Sequence, residues 1–184
     1  MKKILTACFA AFFAASNAFA INIVPKAGID IPTSVSYQCG PDFDTRRGFN
    51  LGLEAGDDIS DYFMWGAGVE YNFPRGLVGV DEAKFSFMPV YISLMFAPLK
   101  AYGKGSAKPY VRANVGFNVL ASNELGSNMT GGLYYGGAIG AEYQNFVGEL
   151  VAGRYTGKFE TTADEEIKMT YMKIGFTLGY KIKI

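Results

Sequence analysis

Residues 169–184 read MTYMKIGFTLGYKIKI, and they alternate along their whole length. Side chains of an extended strand change face at every residue. Thr170, Met172, Ile174, Phe176, Leu178, Tyr180, Ile182 and Ile184 therefore share one face, which is wide and apolar. Met169, Tyr171, Lys173, Gly175, Thr177, Gly179, Lys181 and Lys183 share the other, which mixes lysine with glycine. A strand that is greasy on one side, small or charged on the other, and ends with the chain reads as the closing strand of a membrane barrel.

The same grammar recurs upstream. Phe49, Leu51, Leu53 and Ala55 form an apolar row backed by Asn50, Gly52, Glu54 and Gly56. Phe63, Trp65, Ala67, Val69, Tyr71 and Phe73 are backed by Met64, Gly66, Gly68, Glu70 and Asn72. Val111 to Val119 and Leu133 to Tyr143 repeat it, with Arg112 and Glu142 on the backing faces. Residues 21–33 and 84–97 alternate less cleanly, Pro89 calling for a bulge because proline cannot donate to a ladder. In 146–157 the favoured register turns Leu150 and Ala152 outward and Glu149 inward. With the final strand these make eight, an even number as in bacterial single-chain barrels. Long external loops are expected at 34–46, 74–84, 121–131 and 157–167, and tight turns at 57–60 and 144–145. The connection at 98–108 is longer than the pattern requires.

The glycines give the direction of the apolar face. An eight-stranded barrel has an interior only just wide enough for side chains. Gly52, Gly66, Gly68, Gly116, Gly140, Gly175 and Gly179 all lie on the polar face, where crowding demands them. On a solvated exterior they would only weaken the strands. The expected fold is all-β: an eight-stranded antiparallel up-and-down transmembrane β-barrel with its apolar face outward. A soluble lipocalin-like ligand-binding barrel is the outside alternative.

The N-terminus predicts export. Lys2 and Lys3 precede an apolar run over 4–15, and Ala18-Phe19-Ala20 has the form of a signal-peptidase site, so a cleaved signal peptide at 1–20 and a barrel domain at 21–184 are expected. Leu5-Thr6-Ala7-Cys8 resembles a lipoprotein box but comes too early. Cleavage leaves 164 residues, one domain, with Cys39 alone and no intramolecular disulfide. The mature balance is 15 basic to 17 acidic residues, which argues against a nucleic-acid partner.

Three pieces, Trp65-Gly66-Ala67-Gly68-Val69-Glu70-Tyr71, Pro109-Tyr110-Val111-Arg112 and Gly136-Gly137-Ala138-Ile139-Gly140-Ala141-Glu142-Tyr143, carry a family likeness. The chain resembles the small outer-membrane β-barrel domain proteins, the OmpX- and OmpA-barrel-like group often labelled porin family. The resemblance implies residence in the outer membrane and insertion by the barrel-assembly machinery. Such families end in an aromatic residue; this chain ends Lys183-Ile184, with Phe176 and Tyr180 further in.

The composition limits the chemistry. There is no histidine, and lipid A acyltransfer, lipid A deacylation and omptin-type proteolysis each resemble sites built around a histidine base. Histidine-containing metal sites and thiolate clusters are excluded too. Gly103-Lys104-Gly105-Ser106 lacks the spacing of a phosphate loop. No enzyme activity and no cofactor are expected. The notable constellation is internal: Glu54, Glu70, Glu142 and Glu149 should face Arg112, Lys26, Lys173 and Lys181 in a lumenal charge network centred on Arg112. Loop 34–46, with Tyr37, Cys39, Asp42, Phe43, Asp44, Arg46 and Arg47, is the candidate contact surface for an extracellular partner. The function expected is a monomeric, non-enzymatic barrel with a structural or surface-contact role in the lipid bilayer and a largely plugged polar lumen. The alternative is a narrow pore for small or hydrophobic solutes.

Overall fold

The structure, a computed structural model, describes residues 21–37, 42–98, 107–123, 129–160 and 166–184. The signal peptide expected at 1–20, Cys39 and most of the 98–108 connection lie outside the described residues. Eleven strand segments follow one another: β1 (Asn22–Asp30), β2 (Ser34–Tyr37), β3 (Phe43–Asp44), β4 (Gly48–Asp58), β5 (Phe63–Leu77), β6 (Val80–Phe96), β7 (Lys108–Asn123), β8 (Met129–Tyr143), β9 (Phe146–Glu160), β10 (Glu166–Tyr180) and β11 (Ile182–Lys183). β1 pairs with β4, and each of β4 to β9 pairs antiparallel with the next. β10 then pairs back onto β1 through Lys26↔Gly179 to Asp30↔Gly175, closing the sheet. Beyond a break at 31–33, β2 continues the first stave against β10. The result is a closed eight-stranded antiparallel barrel. Closure satisfies the backbone groups within the sheet, which is what a lipid environment demands.

The burial pattern is inverted relative to a soluble domain. Ile139, Leu150 and Phe117 are about two-thirds exposed, whereas Glu149 and Lys173 are 1% exposed. Every apolar row read from the sequence faces out, apart from Ala55, which sits covered between its register partners Ile23 and Ala67. A lipocalin-like barrel would place these side chains inward, so the soluble alternative fails and the fold is that of a transmembrane β-barrel. β9 takes the favoured register, Glu149 in and Leu150 out. On its outer face Arg154 donates to the Tyr135 hydroxyl at 3.1 Å.

Pro89 and Pro74 sit at irregularities. The ladder shifts between Met88 and Pro89, and again between Asn72 and Arg75 around Pro74. A bulge leaves one residue out of the ladder, so a missing N–H costs nothing there. The second bulge carries a correction. Residues 74–84, expected as an external loop, are strand on either side of a turn at Val78 and Gly79, where Gly79 supplies φ of 86°. The strands beside the other loops expected at 121–131 and 157–167 also run further than expected, β7 to Asn123, β8 from Met129, β9 to Glu160 and β10 from Glu166. The opposite turn at Gln144-Asn145 is tight, with Gln144 at φ of 55°.

Glycine is obligatory where the interior is tightest. A Cβ on Gly116 would run into the Val90 carbonyl and the Tyr91 backbone.

Candidate functional site

The barrel interior is built as a stack. Because strand side chains alternate, β1, β4, β7 and β9 each bring one ionisable residue to the same level: Lys26, Glu54, Arg112 and Glu149. Lys26 Nζ lies 3.0 Å from Glu54 and 3.2 Å from Glu149. Arg112 reaches the same two carboxylates, pairing with Glu54 and meeting Glu149 Oε2 at 2.9 Å. Tyr110 donates to Glu149 at 2.7 Å and Tyr91 to Glu54 at 3.2 Å. Two cations face two anions, so this cluster is neutral.

A second cluster lies toward the end remote from the termini. Lys173 Nζ sits 2.7 Å from Glu70 and 3.4 Å from Asp30, and Arg75 meets Asp30 at 2.6 Å. Tyr155 donates to Glu70 at 3.0 Å, Asn50 donates to Asp30 at 2.9 Å, and Arg75 donates to the Tyr171 hydroxyl and lies over its ring. It too is neutral. Toward the termini, Lys181 and Glu142 form a separate pair at 2.6 Å. Buried charges are tolerable only when paired and hydrogen-bonded, and all of these ions meet that condition.

The sequence-expected residues Glu54, Glu70, Arg112, Glu142, Glu149, Lys173 and Lys181 thus all face the interior, but in three groups and not one. Lys26 joins the Arg112 group. Sequence reasoning missed Asp30 as a partner, although it lay on the correct face, and missed Arg75 altogether. Pro74, Gly76 and Gly79 read as a loop, so the sequence offered no clear signal that the strand continues to Arg75.

Above the second cluster the filling becomes aromatic and apolar. Phe85, Phe87, Tyr155, Met169, Tyr171, Val35 and Leu77 pack as one buried cluster, with Phe87 and Tyr171 stacked 6.1 Å apart. Tyr37 and Phe43, expected as presented loop residues, instead pack on this cluster and meet edge-to-face at 5.8 Å. Tyr37 lies in β2 and Phe43 in β3, and this strand geometry turns them in. Beyond the apolar band, burial raises the Tyr37 hydroxyl above its ordinary pKa. Asp42, Arg46 and Arg47 are exposed. At the terminal end a cavity of about 80 Å³ opens beside Asn22, Asp58, Met64, Tyr110 and Lys181. Between the two charge clusters, beside Arg112, Asn114, Tyr134 and Lys173, the space shrinks to about 10 Å³.

The closed eight-stranded sheet has parallels among solved structures. OprG of Pseudomonas aeruginosa, an outer membrane protein, superposes with a TM-score of 0.55 at 13% identity, covering 90% of this chain and 97% of that one. The Neisserial surface protein A gives 0.54 at 15% identity, covering 88% and 97%. The fold is that of the small outer-membrane β-barrels. At such identities the likeness is one of architecture, and the outer-membrane barrel fold is matched here over nearly the whole of each chain. No protein-family model and no curated sequence matches the chain.

Proposed function

We propose that this chain is a monomeric, non-enzymatic outer-membrane barrel whose interior is plugged and whose role is structural or one of surface contact. The carrying observation is the filling of the interior: two neutral ion clusters separated by a space of about 10 Å³, under an aromatic layer. That space is about one water probe in size, too small for a solute. In this reading residues 1–20 direct export and are removed after Ala20, the barrel-assembly machinery inserts the chain, and both termini face the periplasm. The opposite end, with Asp42, Arg46 and Arg47 exposed and Tyr37 and Phe43 braced beneath them, then meets any extracellular partner.

Single-channel recording in a planar bilayer tests the plug. The expected trace is closed, and a large, steady open conductance overturns the reading in favour of a pore. N-terminal sequencing of protein from outer-membrane fractions should begin at Ile21; recovery in the soluble periplasm refutes the localisation.

A further inference from the structure

The two ion clusters are separated by polar atoms that no protein group satisfies. Arg112 Nε and Asn114 Oδ1 are both buried and make no hydrogen bond within the protein. Arg112 is 6% exposed and Asn114 8%. Their other polar atoms are engaged: Arg112 binds Glu54 and Glu149 through its terminal nitrogens, and Asn114 donates through Nδ2 to the Tyr134 hydroxyl at 3.4 Å. One orphan is a donor, the other an acceptor. Both residues line the cavity of about 10 Å³, together with Glu70, Tyr91, Tyr134, Tyr155 and Lys173.

We propose that this cavity is a binding site for a single structural water, held between the Arg112 cluster and the Glu70–Lys173 cluster. The volume holds one water and little else. The chemistry selects the same occupant. A cation would be repelled by Arg112 and Lys173, and an anion by Glu70 and the Asn114 carbonyl oxygen. Water alone among these accepts and donates at once, taking the Arg112 Nε–H and giving a proton to Asn114 Oδ1. Such a bridge is nearly as good as a direct hydrogen bond, and leaving the guanidinium donor unmet in a low-dielectric interior is costly. The site does not depend on the plugged-lumen reading, because hydration of this point is measured separately from conductance.

The test compares two substitutions of Asn114 in the refolded full barrel. Asn114→Leu keeps the number of side-chain heavy atoms, but its bulkier methyl groups crowd the water position and offer no acceptor, stranding Arg112 Nε. Asn114→Ala removes more atoms yet leaves room for water. In a dry core the alanine variant is the worse one, because it opens a cavity. Here the order is expected to reverse, with Asn114→Leu lowering the folding equilibrium constant about tenfold further than Asn114→Ala in urea titrations. The ordinary order, alanine worse than leucine, overturns the proposal. A crystal structure at a resolution that shows ordered waters gives the second readout, usable even if Asn114→Leu fails to fold. It should show one water within 3.2 Å of both Arg112 Nε and Asn114 Oδ1; a dry cavity, or an ion in it, overturns the assignment.

Discussion

Replacing Glu149 by glutamine keeps the shape of the side chain and removes its charge. Glu149 is 1% exposed and accepts from Lys26 at 3.2 Å, Arg112 at 2.9 Å and Tyr110 at 2.7 Å. At an effective dielectric near 20, unit charges 4 Å apart attract by about 4 kcal/mol, and Glu149 has two such partners. Sparing the carboxylate its desolvation returns part of this. What remains is a cluster with two cations and one anion, and the net cost of such a broken buried pair is about 3–5 kcal/mol. Adding Lys26→Met restores neutrality, so the double variant should regain at least about 2 kcal/mol relative to the sum of the two single losses. The assay is urea unfolding in phosphatidylcholine vesicles. Trp65, the single tryptophan, faces outward and reports the transfer from lipid to water. A Glu149→Gln loss below about 0.5 kcal/mol, or strict additivity in the double variant, would mean a water-filled lumen with solvated charges and would refute the reasoning.

Three further outcomes follow from the geometry. Phe176→Arg, at the middle of the outward row of β10 from Met172 to Tyr180, should cost about 2–4 kcal/mol in a bilayer, whereas a soluble barrel would tolerate it; heat-modifiable gel mobility reads the difference. Gly116→Ala should destabilise by about 1–3 kcal/mol through collision with the Val90 carbonyl, while Gly148→Ala, with only the Leu178 side chain near, should fold normally in the same assay. Phe87→Ala should cost about 3–5 kcal/mol by opening the aromatic layer, and equal stability in urea would show that this layer is not packed.

Alternation made the staves legible because a barrel wall has two unlike faces and lipid tolerates no mixing of them. From Lys173 to Lys181 the sequence assigns each residue its side, and the ladder agrees. Legibility failed where the ladder itself is irregular. At Asn72 to Arg75 an extra residue shifts the phase, so Arg75 turns inward out of step and its neighbourhood of Pro74, Gly76 and Gly79 imitates a loop. The candidate site was half legible for a related reason. A sequence shows which residues face inward but not their height, and height decides that Glu142 meets Lys181 while Glu54 meets Arg112. The aromatic layer was hidden because Tyr155, Tyr171 and Met169 lie singly on inward rows of different strands, and a sequence does not show that they meet.

The ion pairs divide unevenly along the chain. Among the paired residues, β1, β4 and β5 supply two cations and three carboxylates: Lys26 and Arg75 against Glu54, Asp30 and Glu70. β7 onward supplies three cations and two carboxylates: Arg112, Lys173 and Lys181 against Glu149 and Glu142. Among these paired residues each half of the wall therefore carries one unbalanced charge, opposite in sign to the other. A curling sheet cannot discharge either surplus by pairing within its own half. Lys26 meets Glu149 from 123 residues away, and only when the circle is complete. Closure of this barrel is thus an act of neutralisation as well as of hydrogen bonding, and an arrested half-barrel is attracted to its missing half before the edges touch.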